Sequence, residues 1–375
     1  MSASTAVAGS ALRASEPAQG TRVGVGVLGA TGYVGAELIR LLAEHPHAAL
    51  RAASSRQHQG RALAEALPAM AGGTLVLDDD GAEPGSWRER GVEVVFAALP
   101  HGAFAARARA FLDAGMRVVD LSSDFRLRSA AEYRRRYGLD HPAPDLLTDA
   151  VYGLTEWCGD PLADARLVAN PGCYATALLL ATLPIVAEGW WSGDVIVANA
   201  LSGVSGAGRA PSLATHFVEV GNGAAPYKVG EAHPHLGEVG QAIRSVAAKA
   251  PIDEVRMIFN PHLVPMARGI VANVAIPLGR CVGEAAARGL FAGRYAGAPF
   301  VRVLADDALP ETRFVRGSNR CDIAVRSADH GRRLLVFAAI DNLVKGAAGQ
   351  AIQNWNRMQG WDEVTGLPLD GWACA

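Results

Sequence analysis

Residues 22–35 read RVGVGVLGATGYVG, and this stretch restricts the fold more than any other. Val23, Val25 and Val27 alternate as a half-buried strand does. Glycines follow at positions 26, 29, 32 and 35. A helical run covers Tyr33 to Glu44, and a second apolar strand covers Ala48–Ser54. Strand, glycine turn, helix and strand make a βαβ unit, the context in which such glycines bind a dinucleotide. Backbone without side chains can approach a pyrophosphate seated on the helix N-terminus. Gly29, Thr31, Gly32, Tyr33 and Val34 are therefore the candidate cofactor contacts of this turn.

The second strand ends in Ser54-Ser55-Arg56. An NAD-specific fold carries an acidic residue there, about 20 residues past the glycines. Two hydroxyls and a guanidinium suit a 2′-phosphate instead, so NADP is the expected cofactor. Further strands are predicted at Val92–Leu99 and Arg117–Leu121, with a helix over Ala103–Ala114 between them. Alternating strands and helices imply a parallel, Rossmann-type α/β sheet. Ligands bind at the C-terminal ends of such strands. Pro100 and His101 occupy one such end, and Ser122-Ser123-Asp124-Phe125-Arg126 occupies the next.

A short strand, Arg166–Ala169, then runs into Asn170-Pro171-Gly172-Cys173 and a long apolar stretch, Tyr174 to Ala187. Helix propensity is good to Leu183, and Pro184 is expected to end or kink the helix. Cys173 thus falls at a helix N-terminus with Asn170 as its expected cap. Dipole and free N–H groups there favour a thiolate and would hold an oxyanion beside it. Buried cysteines usually serve as small hydrophobes; the Pro-Gly turn before this one points to chemistry.

Beyond Cys173 strands become more frequent: Asp194–Ala200, Arg256–Phe259, Gly269–Pro277, Phe300–Leu304, Cys321–Arg326 and Arg333–Ile340. The expectation is an α+β unit with a mainly antiparallel sheet, covered on one face by helices including Tyr174–Leu183 and Gly237–Ala248. Residues 201–209, LSGVSGAGR, offer backbone N–H groups, hydroxyls and Arg209 to an anion. Ser202, Gly203 and Gly206 are its candidate cofactor contacts. His233-Pro234-His235 precedes Glu238. No third ligand at suitable spacing accompanies the two histidines, so zinc is not expected. Either can act as general acid and base to Cys173, with Glu238 orienting it. The final helix opens with Asp341-Asn342-Leu343-Val344-Lys345-Gly346 and continues through Trp355. Its small residues permit close packing on the nucleotide domain, with Asn342 and Gly346 near the cofactor.

The 375 residues exceed one ordinary core, and the net charge of −2 offers no electrostatic case for nucleic acid or membrane binding. Five scattered cysteines without a C-x-x-C pair indicate neither disulfides nor zinc, and a reducing cytoplasm fits best. The expected organisation is a disordered tail over 1–20, a dinucleotide-binding domain over 21–170 with 341–375, and a catalytic and oligomerisation domain over 171–340.

GVLGATGYVG, SSDFR, NPGCYAT, SGVSGAGR, the His-Pro-His segment and NLVKGAAGQA together resemble the N-acetyl-gamma-glutamyl-phosphate reductases of the aspartate-semialdehyde-dehydrogenase superfamily. The likeness runs from about Arg22 to the C-terminus. It implies NADPH-dependent reduction of an acyl phosphate to an aldehyde in arginine biosynthesis, by a homo-oligomer, dimer or tetramer. It implies Cys173 as nucleophile and His233 as acid/base, with His235 close enough to compete for that role. Arg126, Asn170, Arg209 and Glu238 become candidate substrate contacts. Related reductases of aspartyl phosphate or carrier-bound aminoadipyl phosphate, and a non-catalytic nucleotide sensor, remain as alternatives.

Overall fold

The computed structural model describes residues 22–70, 74–247, 255–305 and 307–372. The expected tail over 1–20 and the last residue of the predicted helix Gly237–Ala248 lie outside them. Strands β1 (Val23–Leu28), β2 (Ala48–Ala53), β3 (Val94–Ala97), β4 (Arg117–Asp120), β5 (Val151–Tyr152) and β6 (Leu167–Ala169) form a six-stranded sheet. Its order is β2-β1-β3-β4-β6-β5, and every pair is parallel. Six helices bear on the site: α1 (Tyr33–Glu44), α2 (Ala105–Asp113), α3 (Cys173–Ala187), α4 (His235–Val246), α5 (Glu284–Arg294) and α6 (Gly349–Met358).

Both faces of the parallel sheet are covered, which is why its strands read as continuous apolar runs. Leu38 and Leu42 of α1, with Ile352 and Trp355 of α6, pack on Val25, Val27 and Phe96. Ala108 and Phe111 of α2 pack with Leu28, Val95 and Val118 on the other side. Chain order reverses at β1, with β2 on one side and β3 on the other, so the ligand crevice opens at the C-terminal end of β1. The glycine turn lies there. Gly29 has φ +76°, and a Cβ on it would stand 2.5 Å from the Ala98 carbonyl oxygen.

The second sheet contains β7 (Ile196–Ser202), β8 (Ala225–Pro226), β9 (Met257–Leu263), β10 (Ile270–Pro277), β11 (Val301–Val303), β12 (Cys321–Ala328) and β13 (Arg333–Ile340). Its order is β11-β12-β13-β10-β7-β9-β8. The β11–β12 and β7–β9 pairs are parallel and the other four antiparallel, so the sheet is mixed but mainly antiparallel. One face buries Ile196, Phe259, Val274, Ile323 and Val336 under α3, α4 and α5. The opposite face carries the half-buried or exposed Val197, Leu201, Ile258, Val271, Leu335 and Phe337.

Helix α3 corrects one expectation. It runs through Pro184 to Ala187 instead of ending at Leu183. Proline lacks the N–H that would bond to the Leu180 carbonyl four residues earlier. That carbonyl accepts from the Tyr295 hydroxyl of the residue after α5, at 2.7 Å. A tertiary donor thus replaces the missing backbone one, and burial of the surrounding apolar side chains holds the helix together. Among the described residues no helix is long and apolar enough to cross a membrane.

Candidate active site

Cys173 is the first residue of α3 and is half-buried. Its helix is capped by Gly172 without a side-chain hydrogen bond, so Asn170 is not the cap that the sequence suggested. The Asn170 amide is drawn the other way. Its Nδ2 donates to the Ala347 carbonyl at 3.2 Å, and its Oδ1 accepts from Asn354 Nδ2 at 3.1 Å. Segments far apart in sequence compete for its side chain, and they win over local capping.

The return segment meets the cysteine directly. A Cβ on Gly346 would stand 2.7 Å from Cys173 Cβ. Only a residue without a side chain lets this backbone approach so closely.

Arg126, Glu238 and His235 flank the turn before the cysteine. Arg126 Nε donates to the Asn170 carbonyl at 2.8 Å and Nη2 to the Leu121 carbonyl at 3.0 Å. Its Nη1 lies 3.2 Å from Glu238 Oε1 and 3.4 Å from His235 Nε2. Glu238 Oε2 accepts from the Gly172 N–H at 3.1 Å and from the Tyr152 hydroxyl at 2.6 Å. Every nitrogen of the guanidinium is engaged within the protein, so Arg126 ties β4, the Asn-Pro-Gly-Cys turn and α4 together. Glu238 serves the same knot; its carboxylate faces Arg126 and Gly172.

The two histidines differ in their surroundings. The His235 Nε2 would touch a Cβ on Gly172, at 2.4 Å. The His233 ring lies 4.7 Å from that of His235, 5.4 Å from Tyr174 and 5.3 Å from Phe259. The His235 N–H donates to His233 Nδ1 at 3.2 Å. A neutral imidazole accepting at Nδ1 carries its proton on Nε2. Burial depresses both rings, to about 3 each; His235 adds to the effect at His233, Arg126 adds to it at His235, and Lys228 adds to it at both. Both are therefore neutral at pH 7.

Burial also governs the thiol. It pushes Cys173 up to about 11, against the pull of Arg126 and of backbone N–H groups at the helix start. The helix terminus alone does not make a resting thiolate, contrary to the expectation from sequence. Desolvation of the charged sulfur outweighs the dipole when no substrate or cofactor is present.

The cofactor crevice holds its predicted residues in two groups. Helix α1 begins at Tyr33 behind Gly32, and no side chain accepts its first N–H groups. With the Gly29 turn, this fits a dinucleotide pyrophosphate. Val34 is half-buried on the sheet side. Ser54 and Ser55, by contrast, brace the turn: Ser54 Oγ accepts from the Gly29 N–H at 3.2 Å and donates to Asp80 Oδ1 at 2.6 Å. Ser55 Oγ and Thr31 Oγ1 are 2.7 Å apart. Arg56 and Pro100 are exposed. Asp80, far beyond the end of β2 in sequence, brings its carboxylate to Ser54 only through the fold.

Across the crevice, Arg209 donates to the Thr31 carbonyl at 2.6 Å. Asn342 donates to Ser205 Oγ at 3.0 Å and accepts from the Gly269 N–H at 2.7 Å. The loop thus joins both the glycine turn and the return segment. Ser202 is buried with its hydroxyl on the Gly203 carbonyl, whereas Gly206 is exposed. A cavity of about 550 Å³ lies between Tyr33, Ser205, Arg209, Arg268 and Leu343.

The sequence carries no signal for Tyr152 and Asn354, which reach the turn before Cys173 through Glu238 and Asn170, nor for Glu156, which accepts from the buried Lys345 at 2.6 Å. Lys345 did carry a signal, a lone charge inside a run of small apolar residues.

A dinucleotide-binding α/β sheet set against a cysteine-bearing α+β domain defines the semialdehyde dehydrogenases. The family described as "Semialdehyde dehydrogenase, NAD binding domain" matches residues 24–165, and "Semialdehyde dehydrogenase, dimerisation domain" matches residues 173–342. Within that class, the chain belongs to the N-acetyl-gamma-glutamyl-phosphate reductase family. A relative of that name from Halorhodospira halophila is 46% identical over 345 residues, covering 92% of this chain and 97% of the relative. Another from Thermus thermophilus is 46% identical over 354 residues, covering 92% and 99%. Among solved structures, aspartate semialdehyde dehydrogenase II from Vibrio cholerae aligns with a TM-score of 0.65 at 17% identity, covering 90% of this chain and 98% of that one. The Candida albicans aspartate semialdehyde dehydrogenase, solved with NADP, aligns with a TM-score of 0.62 at 17% identity, covering 90% and 99%. These two share the fold.

Proposed function

We propose that the chain reduces N-acetyl-gamma-glutamyl phosphate to N-acetyl-glutamate semialdehyde with NADPH, through a thioester on Cys173, in arginine biosynthesis in the cytoplasm. The observation that carries this reading is the meeting of Cys173, at the start of α3, with Gly346 of the segment that leads into the nucleotide-domain helix α6. Leu343 of the same segment lines the cavity, so one stretch of backbone reaches both the crevice and Cys173. The name held in common by the relatives supports the acyl group.

Cys173 sulfur bonds to the acyl carbon while the carbon–oxygen bond to phosphate breaks and phosphate leaves. The N–H groups at the start of α3 face the oxygen of the resulting tetrahedral centre and of the thioester. The glycine turn at Gly29 and the start of α1 would hold NADPH, which would supply the hydride. The hemithioacetal formed on Cys173 collapses to aldehyde and thiol. His233, with its proton on Nε2, is the acid for the developing oxygen and the base in reverse. The resemblance to the reductase family motivates the choice of His233, and the bond from the His235 backbone N–H to its Nδ1 keeps the ring proton on Nε2.

The experiment is a rapid quench without NADPH. Phosphate release in a burst and an acyl adduct on Cys173 are expected, and both vanish in Cys173→Ser. No adduct, or near-normal turnover by Cys173→Ser, excludes the mechanism. A panel of the three related acyl phosphates, assayed in reverse through their aldehydes, tests the acyl group. Comparing His233→Asn with His235→Asn at saturating substrate tests the acid/base. A loss of about 10²–10⁴-fold belongs with His233, and such a loss confined to His235→Asn overturns the assignment.

The domain division at 170/171 and 340/341 belongs to the same proposal, as does a homodimer or tetramer formed through the second sheet. Its open face carries Asn273 opposite Asn199, and Asn199 opposite Asn260. Asn260 donates to Asn199 at 3.1 Å, while the buried Asn273 Oδ1 has no partner among the described residues. Asn273→Arg places a charge on this face and should yield monomer in sedimentation. An unchanged mass would remove this face from the assembly.

A further inference from the structure

The segment that brings Gly346 to Cys173 is not an α-helix. Gly346 N–H donates to the Asp341 carbonyl at 2.9 Å, and Ala348 N–H to the Leu343 carbonyl at 2.8 Å, both five residues back. Val344–Ala348 is one π-helical turn before α6. Such a turn holds an extra residue and is found frequently at functional sites. Removing that residue would rotate the following positions by about 100° on a helix of 3.6 residues per turn. Gly346 would then leave the cysteine.

Lys345 lies within this turn and is wholly buried. Its Nζ donates to Glu156 Oε1 at 2.6 Å and to Gln353 Oε1 at 2.7 Å. Gln353 Nε2 donates in turn to Glu156 Oε1 at 3.0 Å and to Glu363 Oε2 at 2.8 Å. Glu156 stands on the short helix Thr155–Cys158. Thr155 Oγ1, beside it, donates to Asn354 Oδ1 at 2.6 Å, and Asn354 reaches Asn170 in the turn before Cys173. Two polar clusters, joined through the adjacent residues Thr155 and Glu156, therefore grip the cysteine turn and the π-turn: Asn170 also donates to the Ala347 carbonyl within the π-turn. A buried ion pair often contributes no more stability than a well-packed apolar pair. Its selective use is to allow one geometry and penalise others.

We propose that Lys345, paired with Glu156, is a positioning residue: it holds the π-turn in the register that sets the Gly346 backbone against Cys173. Neither side chain is assigned to the reacting atoms. The proposal rests on Cys173 as nucleophile, and that premise fails separately if Cys173→Ser keeps its turnover.

The test compares Lys345→Met, Glu156→Gln and the double variant. Lys345→Met alone leaves a carboxylate buried without its cation and should melt well below the parent. The double variant removes both charges and should recover most of the melting temperature. Its kcat should stay about 10–100-fold down, because a displacement near 1 Å at a reacting group has effects of that order. The KM for NADPH should be unchanged, and the phosphate burst should slow in proportion to kcat. Glu156→Gln alone keeps the lysine on Gln353 and should show a smaller loss of kcat in the same direction, so the test stands even where Lys345→Met fails to fold. A double variant with recovered melting and kcat within about threefold of the parent would make the pair structural only. A loss that appears as a raised KM for NADPH at full kcat would overturn the proposal as well.

Discussion

Replacing Gly346 with alanine adds one methyl carbon where the backbone already touches Cys173. The new carbon would stand 2.7 Å from Cys173 Cβ and 3.1 Å from Cys173 Cα. Comfortable carbon–carbon contact is about 3.5–4.0 Å, so roughly 1 Å of separation must be created. Neither neighbour yields easily, since one is the first residue of the buried helix α3 and the other lies in the hydrogen-bonded π-turn. Overpacking of this kind costs about 1–3 kcal/mol. At about 2–4 °C per kcal/mol for a domain of this size, the melting temperature should fall by about 2–12 °C. The larger effect should be on rate. A 1 Å shift of the nucleophile from its cofactor and substrate is expected to lower kcat about 10²-fold. Differential scanning calorimetry and saturated reverse assays with aldehyde, phosphate and NADP read the two separately. Unchanged melting and unchanged kcat would refute the close approach. Lower melting with full kcat would show that the contact lies outside the chemistry.

The neutral histidines make the fold sensitive to acid. His233 and His235 are held near 3 against an ordinary 6.5, so the unfolded chain takes up protons first. Their contribution is complete above pH 6.5 and is lost as pH falls towards 3, by up to about 1.4 kcal/mol per pH unit for each ring. The urea midpoint should drop between pH 6.5 and 4.5, and less steeply in the His233→Asn/His235→Asn double variant; equal slopes would refute the assignment. Tyr295→Phe should cost about 1–3 kcal/mol by leaving the Leu180 carbonyl unpaired. Pro184→Ala in that background should restore part of the loss in urea denaturation, and no restoration would show that the hydroxyl is not replacing the missing N–H. NADPH should be preferred over NADH, and Arg56→Asp should erase or reverse the preference; equal use of both cofactors by the parent would sink that reading.

The glycine turn, the alternation of strands with helices and the cysteine at a helix start were all legible in the chain, because each depends on neighbours within a few residues. Periodicity placed β13 at Arg333–Ile340, as the structure does. Local rules failed where partners come from afar. Asn170 has the right chemistry for a cap, yet its amide is taken by Ala347 and Asn354. Pro184 has the right chemistry to stop a helix, yet Tyr295 supplies the donor it lacks. Ser54 and Ser55 stand where the cofactor is expected, and the fold also gives their hydroxyls bonds to Gly29, Asp80 and Thr31 that no neighbour in sequence supplies. The state of the thiol is of the same kind: dipole and glycine turn are local, whereas the burial that keeps Cys173 protonated comes from segments far along the chain. Sequence by itself determined which groups stand at the crevice and the backbone conformations they favour. Only the tertiary structure decided which of those groups are spent on holding the fold, because hydrogen bonding and desolvation depend on every segment that closes over a side chain.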